Sequence, residues 1–198
     1  MKKIAIYGAS GHGKVVADIA RLNGYTDIIF IDDGDNDFIT FEEFSKQNVR
    51  PIALGIGDNT IREKLYQKCA DKHISVVTLI HPTTTIGTSV TIGEGTVIMS
   101  HVTVNTDTTL GKGCILNTSC VIEHDNNIGD FVHISPLVAC AGNVIIGKYT
   151  HIGIGSCAVQ GLTIGSNTIV GAGSVVVKDI EDNKLAYGNP CKVIKEIE

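Results

Sequence analysis

The run Glu123-His124-Asp125 places an imidazole between two carboxylates, and it is the group in the sequence best suited to proton transfer. A histidine with its ordinary pKa, near 6.5, is mostly neutral at neutral pH, so a free ring nitrogen can accept a proton. A neighbouring carboxylate can accept a hydrogen bond from the other ring nitrogen and fix the tautomer. Because adjacent residues in a strand point to opposite faces, only a corner would let Asp125 reach the ring. The sequence leaves both carboxylates open as the partner.

Gly142 lies eighteen residues after His124 and is a candidate hydrogen-bond donor through its backbone N–H. Transfer of an acyl group from a thioester to an amine needs a base, a donor for the developing oxyanion, and alignment of the two reactants. A glycine allows close approach to its backbone because it has no side chain. The two residues would act together only if the chain returned to the same place every eighteen residues. Without that return, Gly142 is a simple turn glycine and His124 a solvated corner histidine.

The second half of the sequence has a period that produces this return. Every sixth residue from position 86 to position 170 is apolar, which in a chain of 43% hydrophobic residues has a chance of roughly three in a million. Six residues hold one short strand and one corner, so three units close a triangular coil of eighteen residues, and coils stack about 4.8 Å apart. Five coils are predicted from the fifteen apolar positions, which are Ile86, Ile92, Ile98, Val104, Leu110, Leu116, Ile122, Ile128, Ile134, Cys140, Ile146, Ile152, Ala158, Ile164 and Val170.

The repeat is irregular around the candidate base. Eight of the fifteen apolar residues are followed directly by glycine, which we interpret as turn chemistry at the corners. The segment 117–127 lacks these glycines, and Asn117 and Glu123 stand in their place. Departures of this kind often mark a functional site. Asn117 could hydrogen-bond a bound ligand, although asparagine at a corner is just as often a turn residue.

The first half of the chain alternates strand-like and helix-like segments, as in a small parallel sheet with crossover helices. Strands are predicted at residues 3–9, 27–33, 51–57 and 75–80, and helices at about residues 12–23, 41–46 and 59–72. The sequence therefore predicts an α/β Rossmann-like domain over residues 1–81 and an all-β parallel β-helix domain with a C-terminal tail over residues 82–198.

A glycine-rich loop, Gly8–Lys14, follows the first predicted strand and opens the first helix, where backbone N–H groups and the helix dipole favour phosphate. It is incomplete as a Walker loop, because Val15 stands where a Ser or Thr would bind Mg²⁺. As a dinucleotide fingerprint, its third glycine would fall at Val16. Asp32 and Asp33 lie about 20 residues further on, at a strand end where such a domain meets a ribose.

The charge and composition of the chain limit the kinds of molecule that it is expected to bind. A net charge of −5 and a pI near 5.8 argue against binding of nucleic acid or an anionic membrane, which needs a basic face. The sequence shows neither a secretory signal nor an 18-residue uncharged apolar run, so we expect a cytoplasmic protein that binds small molecules and further copies of itself. We expect the cysteines to be reduced and to serve as small apolar packing residues, because no CxxC pair occurs among them. They are Cys69, Cys114, Cys120, Cys140, Cys157 and Cys191.

The repeat resembles that of the hexapeptide-repeat acyltransferases, a family of left-handed β-helices that form trimers. The segment Gly188–Ile194 is similar to the closing signature of that family, with Cys191 where the family has alanine. The repeat covers about half of the chain, and the first half resembles the bacillosamine-type nucleotide-sugar N-acetyltransferases, with sialic-acid O-acetyltransferase-like proteins close to them. The resemblance implies a left-handed parallel β-helix, a homotrimer, and acetyl-CoA as cosubstrate.

The resemblance also implies roles for individual residues. It makes His124 the general base and places Gly142 against acetyl-CoA. Further acetyl-CoA contacts would come from His133, Ile154 and Ala172, with Lys178, Lys192 and Lys195 near the phosphates unless they are ordinary solvated lysines. A UDP-sugar would be held by Ser10, Gly11, His12, Asp32, Asp33 and Gly57, with Asn117 on the sugar or the pantetheine arm. For His151, eighteen residues after His133, we predict a surface stack.

Together these features predict an N-acetyltransferase that transfers acetyl directly from acetyl-CoA to the amine of a UDP-4-amino-4,6-dideoxy-N-acetylglucosamine-type sugar, without a metal or an acyl-enzyme. One alternative is a sugar O-acetyltransferase of the sialic-acid type. A second is a zinc hydratase with three ligands drawn from His101, His124, His133 and His151. A third is a non-catalytic scaffold that binds nucleotide sugars.

Overall fold

The computed structural model describes residues 1–47 and 50–197; Asn48, Val49 and Glu198, the last residue of the predicted second domain, lie outside them. The predicted helices are confirmed, each to within about one residue at its ends. In chain order, the N-terminal part consists of β1 (Lys2–Tyr7), α1 (Gly11–Leu22), β2 (Tyr25–Ile31), α2 (Phe41–Gln47), β3 (Ile52–Leu54) and α3 (Asn59–Asp71).

Strand β1 is the centre of a parallel sheet with the order β2-β1-β3. Its alternate residues point to opposite faces, so Ile4 and Ile6 pack with α1 while Ala5 and Tyr7 pack with the residues of α2 and α3. Both faces are covered, which explains why the strand is a nearly continuous apolar run. The carboxyl end of β1 leads directly into the glycine-rich loop.

The predicted fourth strand of this sheet belongs mostly to the second half. Val76 forms only a single parallel bridge to Ile52. Strand β4 (Leu79–Ile80) instead pairs in parallel with the strand at 97–98, which is part of the β-helix. The chain therefore passes from one architecture into the other within five residues, and β4 is the first strand of the solenoid.

A run of two-residue strands forms the solenoid and adds one strand at each end to the predicted repeat. After β4 come β5 (Thr85–Ile86), β6 (Thr91–Ile92), β7 (Val97–Ile98), β8 (Thr103–Val104), β9 (Thr109–Leu110), β10 (Ile115–Leu116), β11 (Val121–Ile122), β12 (Asn127–Ile128), β13 (His133–Ile134), β14 (Ala139–Cys140), β15 (Ile145–Ile146), β16 (His151–Ile152), β17 (Cys157–Ala158), β18 (Thr163–Ile164), β19 (Ile169–Val170) and β20 (Val175–Val176).

The strands form the three faces of a left-handed prism. We call them the junction face (β4, β7, β10, β13, β16, β19), the groove face (β5, β8, β11, β14, β17, β20) and the third face (β6, β9, β12, β15, β18). Parallel pairs such as Ile115↔His133 and His133↔His151 confirm the predicted eighteen-residue return. The second residue of each strand points into the prism, and from Ile98 to Val176 these side chains are almost completely buried.

The corners show that our interpretation of the glycines was wrong. The residue that turns the chain lies three positions after the inward residue and has a positive φ, at Ser89, Gly95, His101, Asp107, Gly113, Ser119, Asp125, Phe131, Leu137, Asn143, Tyr149, Gly155, Gly161, Asn167 and Gly173. The glycines that directly follow inward residues instead lie against the next coil. A Cβ on Gly129, for example, would be 2.7 Å from the backbone nitrogen of Lys148. Close approach between coils, rather than backbone conformation, requires those glycines.

The C-terminal segment closes the end of the prism. Strand β21 (Lys184–Gly188) continues the junction face beside β19, and β22 (Cys191–Glu196) pairs antiparallel with β21. All six cysteines are free, and Cys69, Cys114, Cys120 and Cys140 are buried. None of the helices in the described ranges is long and apolar enough to cross a membrane.

Candidate active site

His124 lies at the corner between β11 on the groove face and β12 on the third face. The next residue, Asp125, is the left-handed residue of that corner, with φ 60°. This conformation folds its carboxylate back toward the preceding side chain, so that Oδ2 lies 2.7 Å from Nδ1 of His124. The corner thus places the carboxylate of Asp125, rather than that of Glu123, on the imidazole.

The hydrogen bond that Nδ1 of His124 donates to Asp125 raises the pKa of His124 above the ordinary histidine value, and the negative charges of Asp125 and Glu123 raise it further, while desolvation acts in the opposite direction. The His124 side chain is 57% exposed, so it is accessible to a substrate. With Nδ1 paired, Nε2 is the nitrogen available to exchange a proton with a bound molecule.

The imidazole of His124 lies directly over Gly142. A Cβ built on Gly142 would be 2.5 Å from Cε1 and 2.7 Å from Nε2 of the ring, so only glycine leaves room for this stacking. The chain is held in this register by a hydrogen bond from Asn143 N to His124 O, 2.9 Å. Within the described residues, the Gly142 N–H has no hydrogen-bond acceptor, which leaves it able to donate to a ligand.

A cavity of about 260 Å³ opens at this corner. His124, Gly142, Asn143, Gln160 and Gly161 line it. It adjoins a shallow groove of about 630 Å³ along the groove face, whose outward residues include Val121, Ala139 and Cys157. Gln160 borders both spaces, so a long ligand in the groove could reach the imidazole.

Two residues that the sequence analysis did not identify support this corner. Asn105 donates a hydrogen bond from Nδ2 to Glu123 Oε2, 2.7 Å, and so attaches that carboxylate to the preceding coil. The buried amide of Asn126 donates to the backbone oxygens of Glu123 (2.6 Å), His124 (3.2 Å) and Ala141 (3.0 Å). The eighteen-residue spacing could have identified Asn105, but the contacts of Asn126 require the corner geometry.

A second group of predicted residues meets where the N-terminal part packs on the junction face. His133 extends from β13, its Nδ1 3.3 Å from Gly57 O and its Nε2 3.4 Å from Asn117 Nδ2. Its ring stacks on that of His151 with 4.6 Å between centroids, and the ring of His12 lies 6.5 Å away. The predicted stack of His151 with His133 is confirmed, but it is not a surface stack, because the His151 ring is half-buried and hydrogen-bonded to Ser135.

Burial keeps these imidazoles neutral. It lowers the pKa of His133 to about 3, where the neighbouring His151 ring and the guanidinium of Arg62 also disfavour a second positive charge, and it lowers the pKa of His12 to about 4. Nε2 of His12 is buried and has no hydrogen-bond partner within the described residues. An unpaired buried nitrogen is costly, so a ligand that completes this hydrogen bond would be stabilised.

The paired aspartates hold the glycine-rich loop from within. Asp32 Oδ2 accepts from Ala9 N at 2.9 Å, which fixes the loop to the end of β2. Asp33 accepts from Tyr7 Oη at 2.6 Å and from Lys68 Nζ at 2.8 Å. Partial burial tends to raise the pKa of Asp33, but these hydrogen bonds outweigh it and the pKa is lowered. Both carboxylates border a cavity of about 140 Å³ that also includes Gly8.

The remaining predicted residues lie at exposed positions. Ser10 and Gly11 are exposed at the start of α1. Ile154 and Ala172 are exposed on successive coils between the junction and groove faces, a different corner from that of His124. The three lysines proposed for phosphates are also exposed, namely Lys178, Lys192 and Lys195.

The comparisons with known proteins agree with this architecture. A family model described as the PglD N-terminal domain matches residues 3–69. UDP-N-acetylbacillosamine N-acetyltransferase of Bacillus subtilis is 35% identical over 115 residues, and this match spans about half of each chain, 50% of ours and 52% of the relative. The acetyltransferase domain of PglB from Neisseria gonorrhoeae is 36% identical with a TM-score of 0.91, covering 98% of our chain and 100% of that chain. The chain belongs to the hexapeptide-repeat amino-sugar N-acetyltransferases.

A further solved member of the family is PerB from Caulobacter crescentus, in complex with CoA and GDP-perosamine. It is 36% identical with a TM-score of 0.93, covering 98% of our chain and 97% of that chain. The PglB domain has also been solved in complex with acetyl coenzyme A. Within residues 1–47 and 50–197 of our chain, no group of three or more His, Cys, Asp or Glu side chains is arranged so that it could hold a metal ion.

Within one chain, this family member keeps its two groups of candidate residues apart. The N-terminal part packs on the junction face, next to His133. The His124 corner joins the other two faces, so it is the edge of the prism opposite the junction face. The structure therefore brings His124 together with Asp125 and Gly142. It separately brings His133 together with His12, Gly57 and Asn117. Within one chain, the two groups do not meet.

Proposed function

We propose that this chain transfers the acetyl group of acetyl-CoA to the free amine of a UDP-linked 4-amino-4,6-dideoxy sugar. The observation that carries the proposal is the Asp125–His124 pair lying over the bare backbone of Gly142, at the mouth of a cavity. The named activity of the Bacillus subtilis relative supports a UDP-sugar as the acceptor.

In the proposed reaction, the amine nitrogen attacks the thioester carbonyl carbon, and the C–S bond breaks as the amide forms. Nε2 of His124 takes the amine proton, while Asp125 accepts a hydrogen bond from Nδ1 and stabilises the imidazolium. The N–H of Gly142 donates to the oxyanion. The imidazolium then gives its proton to the departing CoA thiolate, so the base is regenerated.

The nucleotide provides the anchor for this reaction. We propose that the N-terminal loop holds UDP through Ser10, Gly11 and the start of α1, where backbone N–H groups and the helix dipole favour the diphosphate. The unpaired Nε2 of His12 completes its hydrogen bond on the same ligand. Binding energy from this remote part of the substrate then positions the amine for attack.

The opposite placement of the two groups favours a site shared between copies. An amine bound beside His133 and Asn117 of one copy would react at His124 of a neighbouring copy in a cyclic homotrimer. The apolar outer residues of the groove face support such packing, since Val121, Ala139 and Cys157 form an uncovered strip in the single chain. We propose that acetyl-CoA lies along this strip, with Ile154 and Ala172 beside the pantetheine arm.

Subunit mixing tests the shared site. His124→Asn and His12→Asn should each reduce turnover below a tenth of the wild-type rate. In trimers co-expressed from both variants, about a quarter of the sites would combine an intact loop with an intact His124 from its neighbour. We therefore expect the whole co-expressed population to recover about a quarter of wild-type turnover, and trimers that contain both variants to recover about a third. A site contained within one chain would recover none, because every chain carries a defect.

A thiol-release assay with acetyl-CoA tests the acceptor. We expect turnover with a UDP-4-amino-4,6-dideoxy sugar and at least about a hundredfold lower kcat/KM for the same sugar without its nucleotide, because the anchor is lost. A GDP-linked 4-amino sugar tests the nucleotide, and sialic acid tests O-acetylation. Faster release with sialic acid than with any amino sugar would overturn the proposal, as would equal rates with and without UDP.

A further inference from the structure

Arg62 is a buried charge without a carboxylate partner in the described part of the chain. It lies in α3, is 1% exposed, and forms no ion pair there. Burial lowers its pKa to about 10, so the guanidinium still carries its proton at neutral pH. Burying an uncompensated charge is costly, and apolar packing would usually stabilise a junction at least as well. The hydrogen bonds of the guanidinium must therefore account for its burial.

Each of the five N–H groups of Arg62 has an oxygen acceptor, and the acceptors come from both halves of the chain. Nε donates to Gly113 O at 2.6 Å and Nη2 to Phe131 O at 2.9 Å. These two residues are the left-handed corners of successive coils. In the N-terminal part the acceptors are Gly57 O (2.9 Å), Ile56 O (3.3 Å) and Asn59 Oδ1 (2.7 Å).

Gly57 links this network to the candidate site. Its carbonyl accepts from Arg62 and also lies 3.3 Å from Nδ1 of His133. Asn59 extends the attachment to a third coil, since its Nδ2 donates to Tyr149 O at 2.8 Å. The planar guanidinium thus fixes the segment after β3 at one height along the prism, and the imidazole of His133 is fixed with it.

We infer that Arg62 is a positioning residue that sets the nucleotide-binding segment at Ile56–Gly57 against His133, and so sets where the sugar amine stands relative to the acetyl group. This inference rests on the proposed function. Arg62 does not touch the reacting atoms. It acts through the carbonyl of Gly57, and the cost of its burial is explained by the precision of that placement.

Arg62→Lys tests the inference, because lysine keeps the charge but has no planar fork to span both halves. We expect kcat to fall about tenfold to a hundredfold, while the Kd of UDP and the KM of acetyl-CoA change less than about threefold. The ring nitrogen shifts of His133 in NMR spectra should also change. Tyr149→Phe is the matched control, since it removes only the hydrogen bond to Glu63 at the same junction, 2.6 Å, and should leave kcat and the His133 shifts unchanged.

A structural role alone predicts a different pattern. If Arg62→Lys melts at a lower temperature but keeps wild-type kcat and His133 shifts, the inference is wrong; it is equally wrong if Tyr149→Phe loses as much kcat. Should Arg62→Lys fail to fold, Asn59→Ala replaces it, with about a threefold loss of kcat and altered His133 shifts expected, and no change in either overturning the inference. The NMR measurement needs no acceptor sugar, so it separates failure of this inference from failure of the proposed function.

Discussion

Replacing His124 by asparagine should lower kcat about a hundredfold to ten-thousandfold, the usual contribution of a general base. Asparagine can occupy the corner and form hydrogen bonds, but it cannot accept the amine proton at neutral pH. Because His124 is exposed and belongs to no core cluster, the variant should fold as the wild type does. Its Kd for UDP should stay within about threefold of the wild-type value. Steady-state kinetics with acetyl-CoA and calorimetry with UDP measure the two quantities.

The pH profile gives an independent test of the same residue. The base is the neutral imidazole, and Asp125 raises the pKa of His124. Activity should therefore be lost, as the pH falls, through a pKa above that of an ordinary histidine. Asp125→Asn removes the charge, so the acid limb of kcat should move to lower pH while the plateau rate falls. An acid limb that stays in place would show that Asp125 does not act on the base.

His101→Asn is the matched control for both measurements. His101 is also exposed and occupies a left-handed corner, with φ 57°, but lies one coil away at a different corner of the prism. We expect its kinetics to stay within about twofold of wild type. Equal losses in both variants would mean that His124 contributes only to the surface of the solenoid.

The solenoid could be predicted from the sequence because its geometry follows from one six-residue repeat of apolar residues. Each six-residue unit repeats the same physical requirement, an inward aliphatic side chain such as Ile122 or Ile128, so chance agreement over many units is negligible. The same period also predicts that Gly142 lies over His124. Arithmetic along the chain sufficed, since the register of a β-helix is constant.

Features that depend on corners and on long-range packing could not be predicted in this way. Whether Glu123 or Asp125 pairs with His124 depends on the positive φ of Asp125. The sequence does not reveal this φ, because many residue types occupy the left-handed corner position in this chain. The membership of Leu79 in the solenoid is decided by where β7 lies, not by local preference. Arg62 was not identified from the sequence, because its two acceptors in the solenoid, Gly113 O and Phe131 O, are backbone oxygens 51 and 69 positions away.

Gly142→Ala should lower kcat about a hundredfold without unfolding the protein. The backbone of Gly142 is outside the left-handed region, so alanine is tolerated there, and its N–H is retained. The new methyl group would instead occupy the space of the His124 ring, 2.7 Å from Nε2, and push Nε2 away from its present position. A displacement of about 1 Å between a base and its substrate is enough for such a loss. Single-turnover kinetics with acetyl-CoA measure the chemical step directly.

Gly129→Ala shows why this loss would be specific to the site. Its methyl group would meet the backbone of the next coil, 2.7 Å from Lys148 N, which cannot move unless the coils separate. Such overpacking costs about 1–3 kcal/mol, so Gly129→Ala should lower the melting temperature by several degrees. The methyl group of Gly142→Ala meets only the exposed imidazole, which can swing into solvent, so this variant should melt within about 2 °C of wild type. If Gly142→Ala instead melts early and keeps its kcat, Gly142 serves coil stacking rather than catalysis.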